Sequence, residues 1–388
     1  MKRRFFLTRR QFFSRGALTL GASSVILLAV VGAFAAERQI ILHPKCEALP
    51  FDLLGPFVKL GDGSVLAMDD AKVHVSRDDG KTWTARPLFK DTTTFTARFE
   101  RAVLRTRGGV VVIAFTNQKE SVFKWDRKNN QPLPENRCPV YVVRSVDDGK
   151  TWEEPRLVQD GYCGALRNMI QLRSGRIILG CQVAVSDPGR HVTSTYASDD
   201  DGEMWKQSNV IDLGKSGCYG DHGGGIEATI AQLNDGRVWM LMRNPQPFFR
   251  EAFSTDEGLT WTDVRASTIE ASPAPGFILR LESGRLALFW NRWINRERKL
   301  GRREQLSFAL SDDDGKTWTP PVIVAKDPTA PGDTGPEHRL SYPYVYEHKP
   351  GEIWVTTGQG KLRMKLHEAD FVPALNSGKV NAGQQPAK

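Results

Sequence analysis

The sequence has few of the residues that build metal and redox sites. It contains five cysteines and seven histidines in 388 residues. No two cysteines form a Cys-x-x-Cys pair and no histidines show the His-Glu-x-x-His spacing, so zinc and dithiol motifs are absent. We therefore predict no catalytic metal and no other cofactor. One or two disulfides could still form in an oxidising compartment. The cysteines are Cys46, Cys138, Cys163, Cys181 and Cys218.

A basic surface is also missing once the first residues are set aside. The full chain has 53 basic and 45 acidic residues, and six of the basic ones fall within residues 1–36, which leaves 47 against 45. The pI of about 9.2 therefore describes mainly the N-terminal segment. Because no basic stripe remains, we expect no nucleic-acid partner.

Residues 1–36 have the pattern of a targeting segment. They contain no acidic residue, and a basic start leads into an uncharged apolar run over residues 17–36. The stretch from Thr8 to Phe13 is similar to a bacterial twin-arginine signal, and Ala33 to Ala35 offers a small-x-small cleavage site. An uncleaved anchor is the alternative, since about twenty uncharged residues can cross a bilayer. Either interpretation places the rest of the chain outside the cytoplasm, periplasmic or secreted, with a membrane partner only if the segment is retained.

No linker rich in Pro, Gly or Ser and no change of composition interrupts the chain between about Leu53 and Phe371. Although the length alone would allow two domains, we predict one domain over residues 37–372. Residues 373–388 are polar and are predicted to be a disordered tail. We expect the domain to be a monomer.

An eight-residue pattern, Ser-x-Asp-x-Gly-x-Thr-Trp, recurs along the chain. The copies are Ser76 to Trp83, Ser145 to Trp152, Ser198 to Trp205 (with Met204 in place of Thr), Ser254 to Trp261 and Ser311 to Trp318. Their starts lie 69, 53, 56 and 57 residues apart, which is the size of a four-stranded propeller blade. The aspartate can accept backbone N–H bonds, and the glycine can take the positive φ of a tight hairpin. The tryptophan supplies an apolar plate that we expect the next repeat to cover.

A second pattern, an apolar strand, a turn with glycine and another apolar strand, occurs six times. Its turn glycines are Gly63, Gly109, Gly175, Gly236, Gly284 and Gly351. Six hairpins with five octapeptides predict an all-β, six-bladed β-propeller whose last blade lacks the octapeptide. We expect Gln39 to Leu42 to supply the outer strand of that blade and to close the ring. Strand direction puts the glycine turns and the octapeptides on one rim, so the candidate site lies on the other rim around the channel.

The octapeptides resemble the Asp boxes of the sialidase superfamily of six-bladed β-propellers. In that family the boxes are structural turns. The resemblance therefore implies the sialidase fold, with five Asp-box hairpins, and leaves the chemistry to other residues.

Two inner strands bring reactive side chains to the candidate rim. The Asn-Asp-Gly sequence ending at Gly236 is typical of a three-residue hairpin loop, and counting back along both strands places Glu227 opposite Arg243. Such a pair can also be a purely structural salt bridge. Tyr342 lies nine residues before Gly351, the position that Glu227 has before Gly236. We therefore expect Glu227 and Tyr342 to enter the mouth of the channel together.

The resemblance to sialidases extends to these residues. In that family three arginines bind the substrate carboxylate, a tyrosine is the nucleophile, a glutamate is its base and an aspartate is the acid/base. Glu227 and Arg243 match the glutamate and the second arginine. Arg303, eight residues before the box serine, matches the third arginine, and Tyr342 matches the nucleophile. A tyrosine, whose ordinary pKa is near 10, needs such a base to take its proton.

Two parts of the family pattern are missing. Leu54 to Phe57 stands where the family has Phe/Tyr-Arg-Ile-Pro, so the first arginine is absent, and the loop of the acid aspartate is cut to Met68 to Ala71. By register, Asp70 has the position in blade one that Arg243 has in blade four. Three residues lie near the position in blade two that corresponds to Glu227. With Asp70, they are the candidates to replace the missing arginine and aspartate. They are Arg98, Glu100 and Arg101.

Other polar residues precede or end strands at the same rim. Asp221 and His222 lead into a glycine run, where a histidine beside an aspartate can move a proton near pH 7; a loop histidine bonded to backbone is the alternative. No Gly-Lys-Ser/Thr follows, so the run is not a phosphate loop. Asn291 lies between Trp290 and Trp293 at the end of blade five's second strand. These tryptophans could stack on a sugar or pack between blades.

These observations lead to one leading hypothesis and two alternatives. The first is an exported sialidase-like glycoside hydrolase, of exo-α-sialidase type, that removes terminal acidic sugars from glycans by a retaining mechanism. Tyr342 would be the nucleophile and Glu227 its base, with Arg243 and Arg303 binding a carboxylate or sulfate. The alternatives are a non-catalytic carbohydrate-binding propeller and a hydrolase of another acidic sugar, uronic or sulfated. An acidic glycan is the expected partner in each case.

Overall fold

A computed structural model describes residues 40–214, 218–293, 303–328 and 335–372. The targeting segment predicted at residues 1–36 and the tail predicted at residues 373–388 lie outside these ranges. Within them, no helix is long and apolar enough to cross a membrane. The same ranges contain no cluster of three or more His, Cys, Asp or Glu side chains placed to hold a metal ion.

Over the described residues the strands form six antiparallel sheets arranged as blades, which confirms the predicted six-bladed β-propeller. Blade one consists of Phe57–Lys59, Val65–Met68, Lys72–Ser76 and Thr84–Pro87. Blade two consists of Ala97–Arg105, Val111–Asn117, Val140–Ser145 and Arg156–Gln159. Blade three consists of Met169–Gln171, Ile177–Val185, Arg190–Ser198 and Lys206–Gln207.

The second half of the ring repeats this order, from the inner strand to the outer strand. Blade four consists of Ile226–Gln232, Val238–Arg243, Phe248–Ser254 and Thr262–Glu270. Blade five contains Phe277–Arg280, Leu286–Trp290, Gln305–Ser311 and Val322–Lys326. Blade six contains Ser341–Lys349, Glu352–Gln359 and Arg363–His367. Short 3-10 turns occur at Gln118–Glu120, Pro336–His338 and Glu368–Asp370.

The ring closes through the N-terminal strands, but not through the segment that the sequence predicted. Ile41–Leu42 pairs with the outer strand of blade five, as its fifth strand. Cys46–Ala48 supplies the outer strand of blade six by pairing with Arg363–His367. The prediction of Gln39 to Leu42 for this role was therefore wrong. A turn closed by the Cys46 N–H and the His43 carbonyl carries the chain from one blade edge to the next.

The Asp boxes are hydrogen-bonded turns, as predicted. In the first box the Asp78 carboxylate accepts from the Thr82 N–H at 2.8 Å and from the Thr82 hydroxyl, while Ser76 Oγ accepts from the Gly80 N–H at 2.8 Å. The box glycines have φ between 80° and 85°, a backbone region that favours glycine. The Asp78 carboxylate thus satisfies donors of its own turn, and its pKa is lowered by those bonds to about 2.

The boxes and the glycine turns share one rim. Asp148, in the second box, accepts from the N–H of Gly61 in blade one at 2.7 Å, and Asp314, in the fifth, accepts from Asn234 in blade four at 2.8 Å. Each of these contacts joins a box to the preceding blade. The box tryptophans follow the same direction, since Trp318 packs on Trp239 of blade four. The expectation that the following repeat covers the tryptophan was therefore wrong: the nearest apolar surface belongs to the preceding blade.

The inner strands of the six blades line a central cavity of about 620 Å³. Residues beside the glycine turns, such as Arg173 and Asn234, line it together with deeper residues such as Arg167 and Tyr344. Polar bonds connect neighbouring inner strands. The Asn168 amide, for example, both donates to and accepts from the backbone of Ile230, at 2.9 and 3.0 Å. These bonds fix the inner strands relative to one another, and Tyr342 and Glu227 lie at the opposite ends of such strands from the glycine turns.

Candidate active site

A tyrosine, a glutamate and an arginine from two blades meet at the rim opposite the boxes. The Tyr342 hydroxyl donates to Glu227 Oε1 at 2.7 Å, and Arg243 donates to Glu227 Oε2 at 2.8 Å. The same guanidinium nitrogen lies 3.3 Å from the Tyr342 hydroxyl oxygen. All three side chains are buried. The structure therefore brings together the residues that the sequence placed at the channel mouth.

Both Glu227 and Tyr342 have left-handed backbone conformations, with φ of 54° and 61°. Such values are uncommon for residues other than glycine, asparagine and aspartate, and they cost free energy unless the surroundings fix them. The Glu227 N–H donates to Gln182 Oε1 of blade three at 2.8 Å, which provides one such constraint. Two inner strands thus use the same unusual backbone geometry at the same position to direct a side chain into the site.

The register in blade four differs from the prediction by one residue. Arg243 pairs with Ile226 rather than with Glu227, because a β-bulge interrupts the ladder between Ile226 and Thr229. The predicted three-residue turn itself is present, since Leu233 and Arg237 are joined by a 2.8 Å backbone bond. The bulge turns Glu227 toward Arg243, so the ion pair forms even though the two residues are not cross-strand partners.

Burial and the neighbouring charges set opposite protonation states for Glu227 and Tyr342. Burial opposes ionisation of Glu227, yet Arg243 outweighs burial and holds the pKa of this carboxyl below its usual value. Burial, with the Glu227 charge, raises the pKa of Tyr342 to about 12. At neutral pH the pair is therefore a phenol that donates to a carboxylate. This is the arrangement of a hydroxyl nucleophile with its general base.

Arg303 lies beside this cluster. Its guanidinium carbon is 5.9 Å from the centroid of the Tyr342 ring, and the side chain donates to Gln359 Oε1 at 3.3 Å and to the Pro273 carbonyl. Burial lowers the pKa of Arg303, and the charge of Arg243 lowers it further. The guanidinium groups of Arg303 and Arg243 both lie at Tyr342, and their like charges repel each other. A bound anion would relieve this repulsion.

Arg167 was not among the residues proposed from the sequence. It is 1% exposed, and its guanidinium lies between the rings of Tyr342 and Tyr344, at 5.3 and 5.1 Å from their centroids. One nitrogen donates to the Pro343 carbonyl at 2.6 Å, whereas Nε and the other terminal nitrogen have no acceptor in the described part of the chain. Its place eight residues before Gly175, two residues before blade three's inner strand, is the signal that could have identified it.

Arg101 does not take the place of the missing first arginine. Its side chain donates to the carbonyls of Gly55 and Met68, at 3.1 and 2.7 Å, and lies 3.4 Å from Asp70. The Arg101 donors are therefore used by backbone carbonyls, one of which lies within the Leu54 to Phe57 segment. The Asp70 side chain is 74% exposed, so it lies at the surface and not in the buried cluster.

Arg98 and Glu100 have other partners than Arg101. Arg98 donates to the Ser121 hydroxyl at 2.7 Å and approaches Glu100 Oε2 at 3.3 Å. The ladder shifts between Ala97 and Arg101, and this irregularity decides the direction of these side chains. Sequence periodicity carries no record of such a shift, which is why the sequence left the three residues as alternatives.

A hairpin inserted in blade two adds an aromatic wall to this rim. Trp125–Asp126 pairs with Gln131–Pro132. The ring of Phe123 lies 4.8 Å from Tyr162 and the ring of Trp125 lies 6.2 Å from His191, measured between centroids. Phe123 remains 40% exposed. Exposed aromatic faces of this kind can bind the apolar face of a sugar ring.

Asp221 and His222, adjacent in the sequence, have different surroundings in the structure. The Asp221 carboxylate pairs with Arg127 of the blade-two hairpin at 2.9 Å. The backbone carbonyl oxygen of Asp221 lies 3.0 Å from His191 Nε2. The His222 side chain reaches the surface. Its pKa is lowered by the loss of part of its hydration and by the charge of Arg243. The glycine run has a packing role, since a Cβ at Gly224 would lie 1.8 Å from the His191 carbonyl oxygen.

Asn291 and Trp290 lie beneath the site and not on its surface. The Asn291 amide donates to the carbonyls of Gln305 and Leu340, at 2.6 and 2.9 Å, and the residue is fully buried. Trp290 is buried in the core between blades four and five and donates to the Glu270 carbonyl at 2.8 Å. Of the two roles considered for Trp290, blade packing is the one that the structure shows. Asn291 fixes the backbone two residues before Tyr342.

The fold and the sequence of the propeller relate this chain to known proteins. A family model described as BNR repeat-like domain matches residues 63–355. A Hadza microbial sialidase is 16% identical, with a TM-score of 0.60 over 84% of this chain and 69% of that one. The NanB sialidase from Streptococcus pneumoniae is 14% identical, with a TM-score of 0.56 over 86% and 71%.

An α-L-arabinanase from Penicillium chrysogenum, solved with arabinobiose, is 11% identical, with a TM-score of 0.53 over 84% of this chain and 98% of that one. No curated protein matches the sequence. The structural likenesses, all at low identity, concern the propeller fold, which agrees with the sialidase-superfamily resemblance of the Asp boxes. The family model covers most of the propeller, and the chain belongs to the family of proteins with a BNR repeat-like domain.

Proposed function

We propose that this protein is an exported glycoside hydrolase that removes terminal acidic sugars from glycans. One observation carries the proposal: a buried phenol, Tyr342, donates at 2.7 Å to the ionised Glu227, which Arg243 holds at 2.8 Å. A phenol next to a general base and two guanidinium groups can attack an anomeric carbon while an anionic group of the sugar pairs with the cations. The sialidases and the arabinanase that share this fold support a glycosidase as the class of enzyme.

In this proposal Tyr342 forms a covalent glycosyl intermediate, so the anomeric configuration is retained. Glu227 takes the phenolic proton as the Tyr342 oxygen attacks. The neutral phenol approaches an anionic sugar without charge repulsion, which a carboxylate nucleophile could not do. Arg243 and Arg303 bind the carboxylate or sulfate of the sugar, and the aromatic wall at Phe123 and Trp125 contacts a neighbouring sugar ring.

A carbohydrate-binding propeller without turnover is the second candidate. The observation that favours it concerns Arg101, whose side-chain donors bond to backbone carbonyls. Arg101 therefore cannot bind a substrate anion in the way that the family's first arginine does. A binding protein would need the anion-binding arginines but not the Tyr342–Glu227 pair.

Hydrolysis of fluorogenic glycosides distinguishes the two candidates. Purified protein is incubated with 4-methylumbelliferyl glycosides of N-acetylneuraminic acid, glucuronic acid, iduronic acid and a sulfated hexose, and release of the fluorophore is measured. We expect turnover of at least one acidic glycoside by the wild type and none by Tyr342→Phe. Binding of an acidic glycoside without any turnover, with an affinity that Tyr342→Phe leaves unchanged and Arg303→Ala abolishes, would favour the binding protein.

A further inference from the structure

The proposed reaction leaves one buried carboxyl group of the rim without a role. Glu100, in the inner strand of blade two, is 5% exposed. Its Oε2 is buried and has no hydrogen-bond donor within the described residues. The closest cation is Arg98, whose Nε lies 3.3 Å away but is not aligned for a hydrogen bond. A buried carboxyl oxygen without a donor is costly as a carboxylate, so it needs an explanation.

The backbone around Glu100 is fixed to the strand that carries Tyr342. The hydroxyl of Tyr344, two residues after Tyr342, donates to the Phe99 carbonyl and accepts from the Arg101 N–H at 3.0 Å. The ring of Phe99 meets the ring of Tyr342 edge to face, with centroids 5.6 Å apart. Glu100 is therefore held between two residues that contact blade six, which gives it a defined position relative to Tyr342.

The charges around Glu100 connect it with the same site. Burial raises the pKa of Glu100, and the nearby Glu227 carboxylate raises it further, whereas Arg98 and Arg167 oppose this rise. The pKa of Glu227 itself is lowered, although burial opposes this, because Arg243 and the Tyr342 hydrogen bond stabilise its carboxylate. Two carboxyl groups at one site thus have pKa values shifted in opposite directions. Such a pair is typical of an acid and a base in one active site.

The two aspartates of the blade-one loop between Met68 and Ala71 are not placed to supply the acid. Asp69 is used locally, since its carboxylate accepts from the N–H groups of Ala71 and Lys72, at 3.0 and 2.8 Å, and contacts His74 Nε2 at 2.7 Å. Asp70 is exposed and faces Arg101. The short loop between Met68 and Ala71 therefore leaves the position of a proton donor unfilled.

We propose that Glu100 is the proton donor of the reaction, the residue that protonates the leaving-group oxygen. The inference rests on the proposed function and assigns the acid that the blade-one loop lacks. In the first step the Glu100 proton passes to the glycosidic oxygen as the bond from that oxygen to the anomeric carbon breaks. The Tyr342 oxygen bonds to the anomeric carbon and its proton passes to Glu227.

The second step reverses these roles and restores the starting state. The Glu100 carboxylate takes a proton from a water molecule, whose oxygen bonds to the anomeric carbon as the bond to Tyr342 breaks. The proton on Glu227 returns to the Tyr342 oxygen. One water is consumed, the sugar and the alcohol are released, and no oxidant, reductant or further reactant is needed.

The test compares Glu100→Gln with the wild type on two glycosides of one sugar. The sugar is the one that the wild-type protein cleaves in the fluorogenic panel, used as its 4-methylumbelliferyl glycoside and as its methyl glycoside. Methoxide is the poorer leaving group and depends more on protonation. Because general acid catalysis contributes roughly 10²- to 10⁴-fold, we expect kcat/KM of Glu100→Gln to fall by at least about 100-fold on the methyl glycoside and far less on the aryl glycoside.

Three further measurements separate an acid from a residue that only supports the fold. The alkaline limb of the pH profile should disappear in Glu100→Gln, and added azide should restore turnover of the aryl glycoside with formation of the glycosyl azide. Glu100→Asp, which keeps the carboxyl group, should retain more activity on the methyl glycoside than Glu100→Gln. Glu154→Gln, which changes an exposed glutamate of the same blade region, is the matched control and should leave all of these unchanged.

The outcomes distinguish failure of this inference from failure of the proposed function. Equal losses on both glycosides, or an unchanged pH profile in folded Glu100→Gln, would overturn the role of Glu100 while hydrolysis by the wild type still supports a hydrolase. If the wild type hydrolyses none of the glycosides, both proposals are wrong. A steeper loss on the methyl glycoside, together with azide rescue, supports Glu100 as the proton donor.

Discussion

Glu227 and Tyr342 occupy the same position in two different blades, nine residues before a turn glycine, and their side chains meet at 2.7 Å. Both residues also have left-handed backbone conformations. The inner strands of blades four and six thus each direct a polar side chain from the same position into the same space. The relationship joins the repeat architecture to the candidate chemistry, because equivalent strand ends of a closed ring converge on its axis.

Removing the Tyr342 oxygen should separate chemistry from binding. Tyr342→Phe keeps the ring and its contact with Phe99 but has no hydroxyl to attack an anomeric carbon. We expect turnover of a cleavable glycoside to fall by several orders of magnitude, with KM and the thermal midpoint close to those of the wild type. Steady-state kinetics measures kcat and KM, and a thermal melt measures the midpoint. A variant that keeps a tenth of the wild-type kcat would exclude Tyr342 as the nucleophile.

Breaking the buried ion pair should cost far more stability than breaking an exposed one. Arg243→Ala leaves the Glu227 carboxylate buried without its cation, and such a change costs about 3–5 kcal/mol of unfolding free energy. The control is Lys90→Ala, which removes the partner of Glu154 in an exposed pair at 2.6 Å; exposed pairs contribute about 0–1 kcal/mol. Urea unfolding measures both. Similar losses for the two variants would show that burial does not govern the Arg243 pair.

Two glycines of blade five should respond differently to alanine. Gly284 and Gly315 have φ of 87° and 80°, so alanine is strained at both, by about 1–2 kcal/mol. A Cβ at Gly284 would meet nothing within 4 Å, whereas at Gly315 it would lie 2.7 Å from the buried ring of Trp239. We expect Gly315→Ala to lose about 1–3 kcal/mol more than Gly284→Ala, because the ring must move. Equal losses in urea unfolding would mean that the box does not pack as tightly on the preceding blade as the structure shows.

Glu227 should make the stability of the protein depend on pH on the acid side. Its pKa in the folded protein is lowered: burial opposes the shift and Arg243 outweighs burial. A carboxyl of this kind contributes stability above its unfolded pKa, about 4.3, and loses the contribution as pH falls through the folded value. Glu227→Gln removes the titration. The difference in unfolding free energy between wild type and Glu227→Gln should therefore be largest at neutral pH and should shrink below about pH 4; a difference that grows on acidification contradicts the lowered pKa.

The parts of the fold that local chemistry encodes could be predicted from the sequence. Each Asp box carries its own donors, acceptors and positive-φ glycine within eight residues, so its turn does not depend on distant contacts. The same holds for the glycine hairpins, whose count gave six blades. The site residues followed from that register: Glu227 and Tyr342 share a position, and Arg243 ends the partner strand. The roles of these residues remain predictions.

The tertiary structure decided what depends on long-range pairing. Cys46–Ala48, not the segment at Leu42, closes blade six. Several short N-terminal segments could form backbone hydrogen bonds with an open strand edge, and the path of the chain selects one of them. The bulges near Glu227 and Arg101 were also invisible in the sequence, since the period of two along a strand does not reveal an extra residue. These bulges direct Glu227 into the site, Arg101 toward backbone carbonyls and Glu100 into a buried position. Local turn chemistry thus determined the blades, whereas the packing of blade against blade determined which charges share the rim.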